Sequence, residues 1–164
     1  MLRPAFRNGF HAGALVAVIA GVYLFQLWQP DRQVHLHSLH LADALEEKDW
    51  ADVTQFLAPD YSDQWGHNRE VVVSRLQQVL HYASNLRVDA QETITSATDG
   101  EGRWLARIRI EADDNEVAAF IKARVNALEE PFELHWRRQS WKPWDWQLVR
   151  VNNSALELPT GSGF

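Results

Sequence analysis

Cysteine is absent from this 164-residue chain. Its absence excludes disulfide bonds, catalysis by a thiolate and zinc sites with cysteine ligands. It does not identify the redox compartment, because a domain of ordinary size can be stable without a covalent bridge.

Basic residues are scarce relative to acidic ones. The chain has 16 lysines and arginines against 22 aspartates and glutamates, and its formal net charge is -6. Arg3 and Arg7 precede a long apolar segment, so the part that follows it carries 14 basic and 22 acidic groups, a net charge of -8. Nucleic-acid binding requires a basic surface. The charge therefore argues against a general nucleic-acid-binding protein.

Strongly polar side chains are almost missing between Phe10 and Trp28, where only His11 and Gln26 interrupt the apolar run. Roughly 19 residues at about 1.5 Å per residue match the ~30 Å hydrocarbon thickness of a bilayer. The apolar residues surround the helical wheel, whereas a surface helix of a soluble domain keeps one polar face. Trp28 is suited to the membrane interface. The pattern predicts a transmembrane helix over residues 10–29.

The charges on either side of this helix predict its orientation. Arg3 and Arg7 precede it and all 22 acidic residues follow it, so the positive-inside rule keeps residues 1–9 in the cytoplasm. The protein is then expected to cross the inner membrane of a bacterial-type cell once, with the remainder of the chain as a periplasmic domain.

Two alternatives remain open for the same segment. A signal peptidase could cut before Gly21, with Val18 and Ala20 at the small-residue positions. The new N-terminus would then begin with the exposed apolar sequence GVYLFQLW. The other alternative is a helix that packs in a soluble core.

About 134 residues follow the apolar helix, which is enough for one domain with its own core. We divide them into a linker at 30–35, a domain at 36–156 and a flexible tail at 157–164. Helical periodicity and cap residues predict three helices at the start of the domain. Ser38 is expected to cap a helix that ends near Lys48, Asp49 a helix in WADVTQFLA, and Asn68 a longer helix in REVVVSRLQQVLHYAS.

From Leu86 onward the apolar residues alternate with a period of two, which indicates strands. The predicted strands lie near 86–97, 103–112, 116–127, 132–140 and 145–152. Short turns such as TDGEG and SWKPWD connect them, so an antiparallel meander is expected. In RWLARIRIE and FELHWRR, apolar side chains occupy one face and charged side chains the other. The sequence predicts an α+β domain with three helices on one face of a sheet of about five strands.

Two segments carry a family resemblance. ADALEEKDWADVTQFLAPDYSDQWGHNREVVVSRLQQVL resembles the opening of the nuclear transport factor 2-like superfamily, also described as SnoaL-like or cystatin-like, in which a helix pair and a Pro-Asp-Tyr turn precede a glycine loop and a third helix. WDWQLVRVNNS resembles the final strand of that superfamily. The resemblance covers about residues 36–156. It implies a cone, in which a curved sheet wraps around the helices and leaves a pocket between them.

The resemblance does not select a function, because this superfamily includes isomerases, dehydratases, hydrolases, cyclases and non-catalytic transport and secretion domains. No catalytic set of an enzyme branch matches this chain residue by residue, and none is transferred. From the residues alone, Asp63 is the candidate general base, His67 the acid or orienting group, and Tyr61 a hydrogen-bond donor. The alternative is that Asp60 and Asp63 satisfy turn amides.

Tryptophan is abundant, with 8 residues. The candidate lining of an apolar ligand pocket consists of Trp50, Trp65, Trp104 and Trp136. The alternative is that Trp136 and Trp146 are alternating core residues and that Trp65 also fills the core. Trp141 and Trp144 would then shield a hairpin or dip into the nearby bilayer.

A basic stripe is the candidate contact surface for a protein partner or a second copy of the chain through the sheet. It consists of Arg107, Arg109, Lys122, Arg124 and Arg137. Such stripes are also commonly solvated and paired with neighbouring carboxylates.

A cluster of His35, His37 and His40 lacks the one-turn spacing of a helical metal site, so no metal and no cofactor are predicted. The preferred interpretation is an outward-facing, membrane-anchored domain that binds a partner without catalysis. The main alternative is an isomerase, dehydratase or hydrolase that acts on a small apolar molecule in the cone pocket. A third option is a carrier of lipid or another hydrophobic ligand.

Overall fold

Helices form the first half of the chain, and a sheet with one intervening helix forms the second. The computed structural model describes residues 4–113 and 116–156, with side chains from Ala14 onward. The predicted tail at 157–164 lies outside the described residues. The elements in chain order are α1 (Pro4–Leu27), α2 (Pro30–Glu47), α3 (Trp50–Phe56), α4 (Arg69–Leu80), β1 (Arg87–Thr98), β2 (Glu101–Glu111), α5 (Glu116–Asn126), β3 (Phe132–Arg138) and β4 (Trp146–Asn152).

The apolar segment near the start is helical and belongs to α1. Its described side chains are exposed except for half-buried Leu27, with Ile19 at 60% and Phe25 at 70%. Over the residues with described side chains, which include only Ala14–Leu27 of α1, no single helix has by itself the length and apolar character of a membrane span. The pair Ala14–Leu27 and Pro30–Glu47 meets those criteria together, with a bend of 69°.

Helix α2 begins earlier than predicted. Residues 30–35, expected to be a linker, form its first turns because Pro30 at the N-terminus has a backbone already suited to a helix. Ser38 was expected to be an N-cap, and this prediction is wrong. Its hydroxyl donates to the Val34 carbonyl at 2.9 Å inside the helix, the bond that serine commonly makes within a helix.

The caps of the next two helices are as predicted. The side chain of Asp49 accepts from the Asp52 amide at 3.0 Å, and the side chain of Asn68 accepts from the Val71 amide at 3.0 Å. Each bond satisfies an amide that would otherwise lack a partner in the first helical turn. These caps therefore fix where α3 and α4 begin.

The sheet is an antiparallel meander of four strands in the order β1-β2-β3-β4. Pairing between β1 and β2 is interrupted by a bulge between Gln91 and Ile94, where Glu92 has a φ of 53°. A bulge of this kind bends the strand and increases its twist. The expected curved antiparallel sheet is present, with four strands rather than five.

The strand predicted at 116–127 is wrong, because this segment is helix α5. Glu116 in the first turn and Arg124 in the last turn complement the helix dipole. Pairing between β2 and β3 ends at Ala106 and Phe132. Beyond that point α5 covers the edge of β2.

The core lies between α2, α3 and the inner face of the sheet. Val34, Val53, Trp104 and Trp136 are fully buried there. The inner face of β2 includes Gly102, where an added Cβ would overlap a methyl group of Val34 and approach the Trp146 ring to 3.2 Å. Glycine at this position therefore allows α2 to approach the sheet closely.

Candidate functional site

The loop between α3 and α4 carries the candidate catalytic residues and runs along the edge of β4. Leu57 forms a parallel bridge with Leu148. The Ser62 amide donates to the Val149 carbonyl at 3.1 Å, and the Gln64 amide donates to the Val151 carbonyl at 3.3 Å. Backbone hydrogen bonds to the last strand thus hold the loop in place.

Asp63 is the buried centre of this loop, with 5% of its surface exposed. Its Oδ1 accepts from the Trp65 amide at 2.9 Å and from the His67 amide at 2.8 Å. Its Oδ2 lies 2.9 Å from His67 Nδ1. The structure therefore brings Asp63 and His67 together, as the catalytic hypothesis requires, and gives Asp63 the turn-stabilising contacts of the alternative.

Tyr61 lies beside this pair with its side chain buried in the core. Burial, and secondarily the negative charge of Asp63, raise the pKa of the Tyr61 phenol well above its ordinary value. Both effects oppose formation of a phenolate. Tyr61 can serve chemistry here as a neutral hydrogen-bonding group, and its ionisation would be unfavourable.

Asn153, which the sequence analysis did not single out, fastens the same loop to the end of β4. It is 1% exposed. Its Oδ1 accepts from the backbone amides of Ala155 at 3.0 Å and Leu156 at 2.9 Å, while its own backbone N–H donates to Gln64 Oε1 at 2.9 Å. Its place directly after an apolar strand was the available signal, since asparagine side chains commonly bond nearby backbone in turns.

The four candidate pocket tryptophans occupy different environments. Trp104 and Trp136 are buried in the core, whereas Trp50 and Trp65 are half-buried. The Trp65 indole donates to the Leu156 carbonyl at 3.0 Å. Trp136 makes edge-to-face contacts with His37 and Phe56, with centroids 5.9 and 6.3 Å apart. These contacts agree with the core interpretation of Trp136.

Two hollows open on the surface of the described part. One, of about 570 Å³, lies between the end of α2 and the start of β1. The other, of about 460 Å³, lies beside α3 and β4 and is lined by His37, Phe56, Arg69 and Trp146 among others. Tyr61, Asp63 and His67 do not line either hollow.

The predicted basic stripe does not lie on one sheet face. Lys122 and Arg124 are in helix α5, so the prediction that they share a face with the strand arginines is wrong. Their segment is helical, so its residues follow a period of about 3.6 rather than the period of two expected for a strand.

The three remaining arginines of the stripe have polar partners. Arg107 contacts Glu92 at 3.2 Å, and Arg109 donates to Gln91 at 3.2 Å. Arg137 Nη2 contacts both carboxylate oxygens of Asp60, at 2.7 and 2.9 Å. This hydrogen bond lowers the pKa of Asp60 and raises that of Arg137.

The histidine cluster lies on α2, where two of its members have separate structural contacts. His35 Nδ1 accepts from the Trp104 indole at 3.3 Å. His37 lies within hydrogen-bond distance of the Gln33 and Trp144 carbonyls, at 2.8 and 3.0 Å. Over the described residues, no group of three histidine or acidic side chains is arranged to hold a metal ion.

Comparison with known proteins identifies the fold. No protein-family model matches the chain, and no curated protein sequence matches it. Among solved structures, a nuclear transport factor 2-like protein of unknown function from Pseudomonas putida KT2440 has a TM-score of 0.57 at 12% identity, over 82% of this chain and 92% of that one.

Two further structures show the same likeness. A protein provisionally named a dehydratase of the nuclear transport factor 2-like family, from Streptomyces avermitilis, has a TM-score of 0.55 at 14% identity, over 78% of this chain and 96% of that one. Bd1075 from Bdellovibrio bacteriovorus has a TM-score of 0.58 at 11% identity over 77% of this chain, which spans only 41% of Bd1075. The chain has the nuclear transport factor 2-like fold, an α+β architecture that does not by itself assign an activity.

Proposed function

We propose that this protein is a membrane-anchored nuclear transport factor 2-like domain that binds or assembles with a partner without performing chemistry. The observation that carries the proposal is the apolar surface of α1. Its described residues include eight large apolar side chains that are exposed: Leu15, Val16, Val18, Ile19, Val22, Tyr23, Leu24 and Phe25. An apolar surface of this extent is typical of a segment that contacts lipid or another protein.

The length of α1 supports lipid as its environment. The helix has 24 residues, so it is about 36 Å long and exceeds the ~30 Å hydrocarbon thickness of a bilayer. Arg3 and Arg7 precede the apolar part and all acidic residues follow it. We therefore propose an inner-membrane protein with a cytoplasmic N-terminus and a periplasmic domain.

A non-catalytic role is supported by the interior of the cone. Trp104 and Trp136 are packed in the core between the helices and the sheet, where the resemblance implied a pocket. The carboxylate of Asp63 accepts two backbone hydrogen bonds within its own turn. Both observations favour packing and turn formation over substrate binding.

The outer face of the sheet is our candidate partner surface. It carries Arg103, Arg107 and Arg109 on one strand, interspersed with carboxylates, and Ile94 at the β1 bulge is 62% exposed. Polar faces with an exposed apolar centre are common at protein interfaces. A membrane anchor would raise the effective concentration of a neighbouring partner, or of a second copy, without any new contact.

The alternative function is an enzyme of the isomerase, dehydratase or hydrolase type. It is favoured by one observation, the 2.9 Å contact between Asp63 and His67, since a carboxylate can orient an imidazole for proton transfer. This alternative predicts that a small apolar molecule co-purifies with the protein. Native mass spectrometry of the full chain released from detergent tests for that molecule.

Membrane anchoring is tested by placing charges in α1. The double substitution Ile19→Arg and Val22→Arg is expected to move most of the protein from the carbonate-washed membrane fraction to the soluble fraction. Each arginine at the centre of a span opposes insertion by about 2.5–3.5 kcal/mol. The matched control, Val79→Arg, replaces an exposed valine of α4 and is expected to remain in the membrane. Retention of the double variant, or release of the unmodified chain by carbonate, would refute the anchor.

A further inference from the structure

The connection between β3 and β4 presents two tryptophans to solvent. Trp141 is 84% exposed and Trp144 is 52% exposed. The loop that carries them is closed by a hydrogen bond from the Gln139 amide to the Asp145 carbonyl at 2.8 Å. The Trp146 indole also donates to the Pro143 carbonyl at 2.8 Å. The hairpin loop 139–145 is therefore a structured tip that holds two indole rings away from the core.

Hydrogen bonds connect this hairpin to the end of α1. The Gln33 amide group donates to the carbonyl of Leu27, the last residue of α1, at 2.7 Å. His37, one turn further along α2, lies 2.8 Å from the Gln33 carbonyl and 3.0 Å from the Trp144 carbonyl. The hairpin thus lies at the end of the domain from which α1 leaves.

A second set of contacts places the neighbouring turn at the same end. Asp31, in the first turn of α2, accepts from the Ala97 amide near the end of β1 at 2.5 Å. The carbonyl of Gly100, in the turn between β1 and β2, accepts from the Arg138 amide at 2.8 Å. Both turns of the sheet are therefore tied to the first part of α2.

The angle between the first two helices would keep this end close to a membrane. The helices bend by 69°, so α2 would lie near the membrane plane if α1 crossed it upright. At about 1.5 Å per residue, the seven residues from Pro30 to His37 would rise only roughly 4 Å above that plane. Trp28, at the junction, is 48% exposed and suits the interface.

We propose that the hairpin 139–145 inserts Trp141 and Trp144 into the headgroup region of the bilayer that holds α1. This inference rests on the proposed membrane anchor. An indole ring combines an apolar body with an N–H donor, which suits the boundary between headgroups and acyl chains. The tip also carries one cation, Lys142, and one anion, Asp145. Contact through the rings would therefore depend little on the charge of the lipid.

A second membrane contact would restrict the orientation of the domain. A single helix allows the domain to rotate about the helix axis, whereas a helix and a hairpin together define two points on the membrane. The outer face of the sheet would then point in a constant direction relative to the bilayer. Such an arrangement favours a partner that is itself held in or on the same membrane.

The absence of cysteine makes the test direct, because a single introduced cysteine can carry an environment-sensitive fluorophore. Full-length chain is placed in nanodiscs at one copy per disc, with labels at Lys142→Cys on the hairpin or Phe25→Cys on α1. The control is Ser84→Cys, an exposed position before β1 at the opposite end of the sheet. We expect brominated lipid to quench the first two labels, and the iodide quenching constant at Lys142→Cys to be about threefold below that at Ser84→Cys.

The outcomes separate the inference from the anchor. If the Phe25→Cys label is protected but the Lys142→Cys label is as accessible to iodide as Ser84→Cys, the hairpin proposal is wrong and the anchor stands. If the Phe25→Cys label is itself accessible, both fail. Protection of Lys142→Cys that requires several copies per disc would mean contact between copies, and would overturn insertion into lipid. Trp141→Ser with Trp144→Ser in the Lys142→Cys background should restore iodide access while Phe25→Cys remains protected.

Discussion

Asp63 is expected to act mainly through the turn that it stabilises. Asp63→Ala removes the acceptor for the Trp65 and His67 amides, and unpaired buried amides cost about 1–3 kcal/mol. We therefore predict a loss of folding stability in that range, measured by urea denaturation. The matched control is Asp60→Ala, whose carboxylate is exposed and contacts Arg137 at the surface, and which should lose much less.

The opposite result would favour the enzyme alternative. Catalytic groups are often held in arrangements that cost stability, so that their replacement stabilises the protein. An unchanged or higher denaturation midpoint for Asp63→Ala would contradict the structural role assigned to this carboxylate. It would also make a ligand search around Asp63 and His67 the next step.

Tyr61 is expected to make folding stability sensitive to alkaline pH. Because its pKa in the folded protein is raised above the ordinary value of 10.0, the unfolded chain releases the phenolic proton first as pH increases. The stabilisation that Tyr61 gives as a neutral phenol is fully present below pH 10. Above pH 10 the free energy of unfolding falls by at most about 1.4 kcal/mol per pH unit. In urea denaturation between pH 8 and 11, the free energy of unfolding should decrease less steeply with pH for Tyr61→Phe than for the unmodified chain. Identical slopes would rule out a strongly perturbed tyrosine.

Individual residues were predictable where the signal was local. The caps Asp49 and Asn68 were predicted because a short polar side chain can bond an amide three residues ahead. Ser38 has the same chemistry, but Pro30 begins the helix earlier and leaves the serine in its interior. The role of Gly102 depends on the approach of Val34 from another element, which no local pattern reports.

At the scale of elements, a side chain of α5 takes the place of a strand partner at the edge of β2. Asn126 Oδ1 accepts from the Ile110 amide at 2.8 Å, and its Nδ2 donates to the Ile110 carbonyl at 3.0 Å. One side chain thus supplies the donor and the acceptor that a neighbouring strand would offer. This arrangement explains how the edge of β2 remains satisfied where β3 has ended.

We predict that Asn126→Ala destabilises the protein by about 1–3 kcal/mol, because both polar groups of Ile110 lose their partner. Hydrogen exchange should accelerate at the Ile110 amide. Asn126→Asp keeps an acceptor for the Ile110 amide and loses the donor to the Ile110 carbonyl. The exchange rate of the Ile110 amide in this variant should therefore lie between the rates in the unmodified chain and in Asn126→Ala. Unchanged protection of the Ile110 amide in Asn126→Ala would contradict this role of Asn126. It would mean that water or another group of α5 bonds the backbone of Ile110.

The elements were predictable except where two periodicities competed. The strands that became β1, β2, β3 and β4 alternate clearly because one face packs on the helices and the other is polar. In EVAAFIKARVN, small and apolar residues fit both a strand and a short helix, and Phe120 is 69% exposed in the helix that forms. The choice is made by tertiary contact with β2, which lies outside the segment.

At the scale of the whole molecule, the order of helices and meander was sufficient to predict the fold. Apolar periodicity placed Trp104 and Trp136 on the same sheet face, and both are in the core. Their burial agrees with the proposal that a partner binds at the surface. The proposed contact between α1 and a membrane is an interaction with lipid, so packing within the chain does not determine it.

The proposed orientation of the domain is tested most directly by the accessibility of single cysteines in intact cells. A membrane-impermeant maleimide is applied to cells with a permeable outer membrane that express Ser84→Cys or Asn8→Cys in the full chain. We expect labelling of Ser84→Cys in intact cells and of Asn8→Cys only after the inner membrane is broken. Labelling of both only after lysis, or recovery of Ser84→Cys in the cytosolic fraction, would contradict an outward-facing anchored domain.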